Sequence, residues 1–344
     1  MDVDDLTSYI TSSRNILAIH DPSQNIRFFS LGRHAFKSVL QSLEIGPGDT
    51  VLVPSFLCKE MLAPIHESGA TPIFYDIDLS LNANLLPKDS SIKAVLAVNY
   101  FGFPQELSNF KLYCSNNNIA LIEDNAHGFL SADLNGEALG TRGDYGIFSY
   151  RKTLPIRSGA SLLLNSQKHI LKHKQIPYTS NGTSVSQKIR VALNWLEKKF
   201  KIQIIPFSKT LIRSLRKILL GYKIKPASDV LEYSTPLPEN PPTSLVYSIR
   251  SLNIAAEINR RRLLYEHFHE RLFKIGIKPV FGSLTKGVCP YGYPFFANDA
   301  LALKVVKIAK DSGFDCYKWP ELPSSIRISA KPHYHQLWVI NFLC

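Results

Sequence analysis

The sequence predicts an α/β protein with a mostly parallel sheet that is covered by helices. Apolar, strand-like runs alternate with helical segments from about residue 30 to residue 164, as in β-α-β units. The 344 residues are enough to bury a sizeable core, and 45% hydrophobic with 20% charged residues is typical of a soluble globular protein. The motifs G-x-G-x-x-G and G-x-x-x-x-G-K-[ST] are absent, so a dinucleotide or nucleoside-triphosphate fold has no positive support.

The first predicted helix follows Ser30-Leu31-Gly32-Arg33. Apolar residues recur at helical spacing from Ala35 to Leu43, and the pattern stops at Gly46-Pro47-Gly48, a typical helix terminator. A glycine at a helix start lets backbone N–H groups approach an anion. The later elements predicted for this half are strands at 50–53, 72–76, 94–99, 119–123, 146–150 and 160–164, and helices at 59–68 and 107–116.

The pattern changes after Asn165. Five prolines between 226 and 243 suggest a domain boundary, so we predict a large cofactor-binding domain over residues 1–235 and a small α+β domain over 236–344. In the small domain the sequence predicts one long helix over 244–273, strands at 277–281 and 293–297, and a helix at 300–312. Residues 1–25 are expected to form a helix and a connecting loop.

The net charge of +12 is concentrated in one stretch. Residues 188–225 contain eleven Lys or Arg residues against one Glu, and apolar residues are interleaved with the cations. Three interpretations stay open: a solvated or packed helix, a surface that attracts the pyrophosphate of a nucleotide-linked sugar, and weak association with an anionic membrane surface. No recognition motif accompanies the charge, so nucleic acid is not an expected partner.

Cysteine usage and the amino-terminal residues bear on location. The five cysteines are scattered with no C-x-x-C pair, which supports neither a disulfide framework nor a metal site. The first ten residues are acidic and lack the order of a secretory signal, and no segment is apolar enough to span a bilayer. A cytoplasmic location is therefore expected.

Two pairs of charged residues lie at the ends of predicted strands. Glu123 and Asp124 end one apolar strand, and Arg151 and Lys152 follow another. Ligands of open α/β sheets bind at the carboxyl ends of the strands. A lysine can form a Schiff base with an aldehyde, and an aspartate can hold a pyridine nitrogen protonated. The plainer alternatives are that Asp124 caps a following helix and that Lys152 is a solvated loop residue.

The segments I-E-D-N-A-H-G and G-D-Y-G-I-F-S-Y-R-K-T-L-P resemble the core of the DegT/DnrJ/EryC1/StrS family of pyridoxal-phosphate-dependent sugar aminotransferases. The similarity continues in order from about Ser30 to Pro320. It implies the PLP-transferase fold of type I, pyridoxal 5'-phosphate as cofactor and a homodimer. The implied reaction transfers an amino group from an amino acid such as glutamate to a nucleotide-linked keto-sugar, for a polysaccharide such as O-antigen or for another glycoconjugate.

The resemblance also implies roles for single residues. Lys152 would carry the cofactor and act as general base and then acid, and it is the only lysine between Lys111 and Lys168. Asp124 would pair with the pyridine nitrogen, while Glu123 points the opposite way on the strand. His127 would hydrogen-bond the phenolic oxygen of the cofactor.

The implied phosphate site comprises Gly32 and Arg33, at the family's phosphate-binding turn, and Ser149. Two further residues are weaker candidates. Phe56 could cover the cofactor ring, because Cys58 stands where relatives often carry a stacking aromatic residue. Arg250 matches the arginine of the family's N-Y-R motif, whose asparagine reaches the partner subunit.

Several positions depart from the family pattern. Ser248 replaces the asparagine of N-Y-R, His34 replaces a small residue, and the loop at 157–160 reads Arg-Ser-Gly-Ala instead of a glycine-rich sequence. The loop and Ser248, together with the basic stretch at 188–225, permit a degenerate, non-catalytic homologue that acts as a membrane-associated or scaffold subunit. Sugar dehydration on the same fold is another alternative, but family members with that activity lack the lysine, so Lys152 favours transamination.

Overall fold

The computed structural model describes residues 25–154, 156–166 and 229–343. The strands of the larger sheet are β1 Ile26–Phe29, β2 Thr50–Pro54, β3 Thr71–Tyr75, β4 Ile92–Val98, β5 Ala120–Asp124, β6 Tyr145–Ser149 and β7 Ala160–Leu164. Their order in the sheet is β1-β7-β6-β5-β4-β2-β3. Strands β2 to β6 are mutually parallel, while β7 pairs with β6 and with β1 in antiparallel fashion at one edge.

The predicted α/β fold class is confirmed for the described residues. The predicted strands of this half are present within two residues of their expected ends, because continuous apolar runs are typical of strands that are buried on both faces. Strand β1 was not predicted: its four residues show no alternation that marks a strand, and it is held by antiparallel pairing with β7.

Helices connect the parallel strands. They are α1 Gly32–Ser42, α2 Ala63–Ser68 and α3 Ser108–Asn117. The single helix predicted over 59–68 is wrong, because Lys59–Met61 forms a separate 3₁₀ turn before α2. Pro64 explains the break: proline lacks an N–H donor and is tolerated only in the first turn of a helix. The predicted stop at Gly69 is confirmed by its left-handed φ of 77°.

The carboxyl-terminal part contains a second, antiparallel sheet with the strand order β8-β10-β9. Strands β9 and β10 were not predicted, and the strand predicted at 277–281 is wrong. That segment forms only an isolated bridge from Pro279 to Phe295, since a proline cannot donate to a ladder. The elements are α4 Val230–Tyr233, α5 Leu245–Arg250, α6 Ile254–Phe273, β8 Gly292–Phe296, α7 Asp299–Asp311, β9 Asp315–Lys318, α8 Ser324–Arg327 and β10 Leu337–Asn341.

The long helix predicted over 244–273 is also wrong, because it is two helices, α5 and α6. The chain leaves the helix after Arg250, and Asn253 caps α6 by accepting a hydrogen bond from the N–H of Ala256. Asparagine competes for backbone donors in this way and therefore favours helix starts over helix interiors. The sequence pattern of apolar residues runs through the break and does not reveal it.

Several predictions lie outside the described residues, namely the amino-terminal helix and the basic stretch at 188–225. The division into domains at residue 235 stays a prediction. Apolar residues of both sheets belong to one buried cluster, and a second cluster joins β1 and β6 to α5 and α6. Within the described ranges, no helix combines the length and apolar character needed to cross a bilayer.

Candidate active site

The carboxyl ends of β4, β5 and β6 enclose a cavity of about 40 Å³. Asp124, His127 and Lys152 line it together with Cys58, Trp319 and several smaller or apolar residues. The structure thus brings together three of the residues that the sequence singled out. Strand order explains this, because β5 and β6 are neighbours and parallel strands end at the same edge.

Asp124 is the last residue of β5 and is 5% exposed. Its Oδ1 atom accepts a hydrogen bond of 2.9 Å from the N–H of Ala126. Burial raises the pKa of this carboxyl group, and the nearby ammonium of Lys152 and the bond from Ala126 oppose that rise. The residues that follow form turns, so Asp124 caps a turn and not a helix.

Glu123 lies on the opposite face of β5 and is completely buried. Its Oε1 atom accepts hydrogen bonds from Nε (2.9 Å) and Nη2 (2.5 Å) of Arg142 and from Nδ2 of Asn99 (2.8 Å). Its Oε2 atom accepts one from the backbone N–H of Arg142. Because Glu123 and Asp124 are adjacent, this buried ion pair holds the end of β5 that presents Asp124.

His127 and Lys152 are in direct contact. Nε2 of His127 lies 3.1 Å from Nζ of Lys152, and the backbone N–H of Phe101 donates to Nδ1 of His127 at 3.3 Å. Burial, together with the charges of Lys152 and Arg151, lowers the pKa of His127 well below its ordinary value. Burial likewise lowers the pKa of Lys152. Both groups are therefore biased toward their neutral forms.

The turn that holds His127 is strained. Phe101 has φ 55° and ψ 20°, in the left-handed region that side chains other than glycine seldom adopt. The next residue must be glycine, since a Cβ atom on Gly102 would lie 2.5 Å from the carbonyl oxygen of Cys289. Such strain persists only where the surrounding structure enforces it, and here it directs the Phe101 N–H at His127.

The predicted phosphate residues lie beside this cavity without lining it. Gly32 begins α1, and a Cβ atom there would lie 3.5 Å from the side chain of Ile147 in β6. Ser149 is buried at the end of β6. Arg33 interacts electrostatically with Arg151, Glu60 and Cys58, so it lies near the lysine.

Phe56 and Arg250 do not line the cavity. Phe56 is completely buried against Tyr100, Trp319 and Tyr334, with its ring centroid 5.3 Å from that of Trp319. Arg250 is an exposed residue at the end of α5. Their proposed roles stay predictions. Cys58 lines the cavity instead, and burial raises the pKa of its thiol to about 12, so it remains protonated.

Two aromatic residues and a cation of this site were not among the site residues named from the sequence, although the segments 289–296 and 317–323 resemble family segments that close over the cofactor domain. Tyr291 stacks on His127 with ring centroids 4.3 Å apart, and Trp319 lines the cavity. Both come from segments more than 150 residues away in the chain, so no local pattern reveals the contact. Arg151 was visible in the sequence as a second cation beside Lys152 at the strand end, and that signal could have identified it.

A sequence model of the DegT/DnrJ/EryC1/StrS aminotransferase family matches residues 27–204. The chain belongs to this family. The resemblance of the two motifs predicted this membership, and the match confirms it. The matched range contains the cavity residues from Cys58 to Lys152.

Relatives in the family act on nucleotide-linked sugars according to their names. The chain is 32% identical over 127 residues to UDP-N-acetyl-3-dehydro-alpha-D-glucosamine 3-aminotransferase of Acidithiobacillus ferrooxidans, which is 35% of this chain and 33% of that protein. It is 36% identical over 135 residues to dTDP-4-dehydro-2,3,6-trideoxy-D-glucose 4-aminotransferase of Saccharopolyspora spinosa. That match covers 38% of this chain and 34% of that protein. The matched stretch is thus about a third of the length of these relatives.

Solved structures match over nearly the whole chain. The aminotransferase TlmJ from Streptoalloteichus hindustanus has a TM-score of 0.63 at 18% identity, covering 97% of this chain and 84% of that chain. The sugar aminotransferase CalS13 from Micromonospora echinospora also has a TM-score of 0.63, at 15% identity. That match covers 99% of this chain and 88% of that chain. At this identity the similarity establishes the fold, and the aminotransferase fold expected from the sequence is confirmed.

Proposed function

We propose that this family member is a pyridoxal-phosphate-dependent aminotransferase that acts on a nucleotide-linked keto-sugar, with an amino acid such as glutamate as amino donor. The convergence of Lys152, Asp124 and His127 on one cavity is the observation that carries the proposal. The named relatives, which are aminotransferases of UDP-linked and dTDP-linked sugars, support the substrate class.

The residues fit pyridoxal phosphate by their chemistry. An amine and a carboxyl group face the cavity, and two guanidinium groups close by have buried N–H atoms without a hydrogen-bond partner. The cavity itself is small, because a cavity that binds benzene has about 150 Å³. Residues of its lining, which include Trp319, therefore have to move when a pyridine ring enters.

When bound, pyridoxal phosphate withdraws electrons from the carbon that carries the amino group and so makes its proton removable. The ionised carboxylate of Asp124 would hold a proton at the ring nitrogen, and the charge of Lys152 and the N–H of Ala126 favour this ionised form against the effect of burial. Nζ of Lys152 would take the proton from Cα of the amino donor and return it at the carbon that was the cofactor's aldehyde, for which its lowered pKa is suited. The apolar side chains of the lining, such as Met61 and Trp319, would limit the access of water to these transfers.

The two alternatives are not favoured. A non-catalytic homologue does not require an amine, a carboxyl group and an imidazole to meet in one cavity, and dehydration is disfavoured by the presence of Lys152. Homodimer formation, a cytoplasmic location, a role in O-antigen or another polysaccharide, and membrane association through residues 188–225 stay predictions from the sequence.

Activity is tested by incubating the protein with pyridoxal phosphate, glutamate and UDP-, dTDP- or GDP-linked keto-sugars. We expect 2-oxoglutarate and an amino sugar in equal amounts. Lys152→Ala should abolish both products, and Lys111→Ala, which changes an exposed lysine, should not. A protein that aminates none of these sugars while it converts a keto acid would contradict the proposed substrate class.

A further inference from the structure

Two arginines near the cavity have buried N–H groups without partners. Nη1 of Arg33 and Nε of Arg151 are inaccessible to solvent and donate to no acceptor in the described parts of the chain. A buried donor that belongs to a charged group is costly to leave unsatisfied, and such groups in folded proteins usually have a partner. The two atoms therefore indicate a missing acceptor.

Backbone contacts bring the two arginines to one place. Gly32, which precedes Arg33, packs against Ile147 in β6, and Arg151 follows that strand by two residues. The N–H of Gly159 donates to the carbonyl of Ser30 at 2.7 Å, and the carbonyl of Gly159 accepts from Tyr150 at 2.9 Å. The start of α1 is thus tied to the turn that contains Arg151.

The surroundings leave positive charge uncompensated. Burial lowers the pKa of Arg33, and the positive charge of Arg151 lowers it further, while Glu60 partly offsets both. Among the described residues neither guanidinium forms an ion pair. The first turn of α1 has no acidic residue and no side-chain cap, so its backbone N–H groups add to the positive potential. Arg33, Arg151 and Lys152 together outnumber Glu60 and Asp124.

We propose that Arg33 and Arg151 together bind the phosphate group of the cofactor, which makes Arg151 a phosphate ligand of this chain. The proposal rests on the proposed function. A phosphate monoester carries nearly two negative charges and three acceptor oxygens, which suits two guanidinium forks. In pyridoxal phosphate the aldehyde and the phosphate arm occupy adjacent ring positions, as Lys152 and Arg151 are adjacent in the chain.

The test compares pyridoxal phosphate with pyridoxal, which lacks the phosphate. Dissociation constants are measured from the absorbance change on binding for the wild type, Arg151→Met, Arg33→Met and the exposed control Arg157→Met. Loss of a charge-assisted hydrogen bond should weaken pyridoxal phosphate binding about tenfold or more in the first two variants. Their affinity for pyridoxal should stay within about twofold of the wild type. Arg151→Lys, which keeps the charge, should recover part of the loss.

A second arm can be decided on the wild type alone. Inorganic phosphate at millimolar concentration should strengthen pyridoxal binding to the wild type, because it fills the site that the missing phosphate leaves. The same addition should have no effect on Arg151→Met. An absent phosphate effect in the wild type would overturn the proposal even if both arginine variants failed to fold, which circular dichroism would reveal.

Two other outcomes would overturn it. Equal weakening of pyridoxal phosphate and pyridoxal would mean that Arg151 acts on the fold of the site. Unchanged cofactor affinity with weaker binding of glutamate or of the sugar nucleotide would mean that the pair holds a substrate anion. Failure of the proposed function looks different: the wild type itself would then bind no cofactor and form no adduct on Lys152.

Discussion

Nε2 of His127 lies 3.1 Å from Nζ of Lys152, while Nδ1 of the same ring accepts the N–H of Phe101. A neutral imidazole has one N–H, and because Nδ1 acts as acceptor, that hydrogen is on Nε2. His127 can therefore donate to Nζ of Lys152 when that amine is neutral, which is its nucleophilic form, whereas the ammonium has no lone pair to accept the bond.

The first prediction concerns the pH dependence of this amine. Burial lowers the pKa of Lys152 below 10.5, so the neutral amine accumulates as pH rises through this lowered value. The rate of adduct formation between the cofactor-free protein and pyridoxal should rise through a midpoint below 10.5. Borohydride trapping at a series of pH values measures it, with N-α-acetyl-lysine as reference. A midpoint equal to that of the free amino acid would contradict the burial of Nζ.

The second prediction concerns Asp124. Asp124→Asn preserves the shape of the side chain but removes the group that holds a proton at the ring nitrogen. We expect kcat to fall at least about 100-fold, as when a preorganised electrostatic group is removed. Steady-state kinetics at saturating cofactor check this, and Asp311→Asn, an exposed change at the end of α7, is the control. Equal kcat values for the two variants would exclude the proposed role.

The third prediction concerns the ion pair behind the site. Glu123→Gln leaves the buried charge of Arg142 without its carboxylate, and breaking a buried pair in this way costs about 3–5 kcal/mol of unfolding free energy. Urea denaturation followed by circular dichroism measures the loss. The exposed change Glu137→Gln should alter the unfolding free energy by less than about 0.5 kcal/mol. If both variants unfold at the same urea concentration, the pair does not stabilise β5.

The fourth prediction concerns Trp319. Its ring lies 5.3 Å from the ring of His127, centroid to centroid, and lines a cavity too small for a pyridine ring. Addition of pyridoxal phosphate should therefore quench tryptophan fluorescence, and Trp319→Phe should remove at least half of the quenching. Trp338→Phe changes a ring on β10 and serves as control. Undiminished quenching in Trp319→Phe would show that Trp319 does not contact the cofactor.

Local sequence was sufficient to predict the parallel sheet and the residues at its carboxyl edge. Asp124 ends one apolar strand and Lys152 follows the neighbouring strand by three residues, so strand order brings them together. The contact of Tyr291 with His127 joins distant segments, and the pairing of Arg142 with Glu123 depends on the path of the connection between β5 and β6, so neither followed from a local pattern. The break between α5 and α6 was missed because the cap at Asn253 interrupts a helical repeat that continues on both sides.

The central claim is that Lys152 binds the cofactor covalently. The direct measurement is to add pyridoxal phosphate, reduce with borohydride and locate the pyridoxyl group by peptide mass spectrometry, with Lys152→Ala and Lys111→Ala in parallel. We predict a single adduct on Lys152 that is lost only in Lys152→Ala. No adduct in the wild type, or one that persists in Lys152→Ala, would contradict the account.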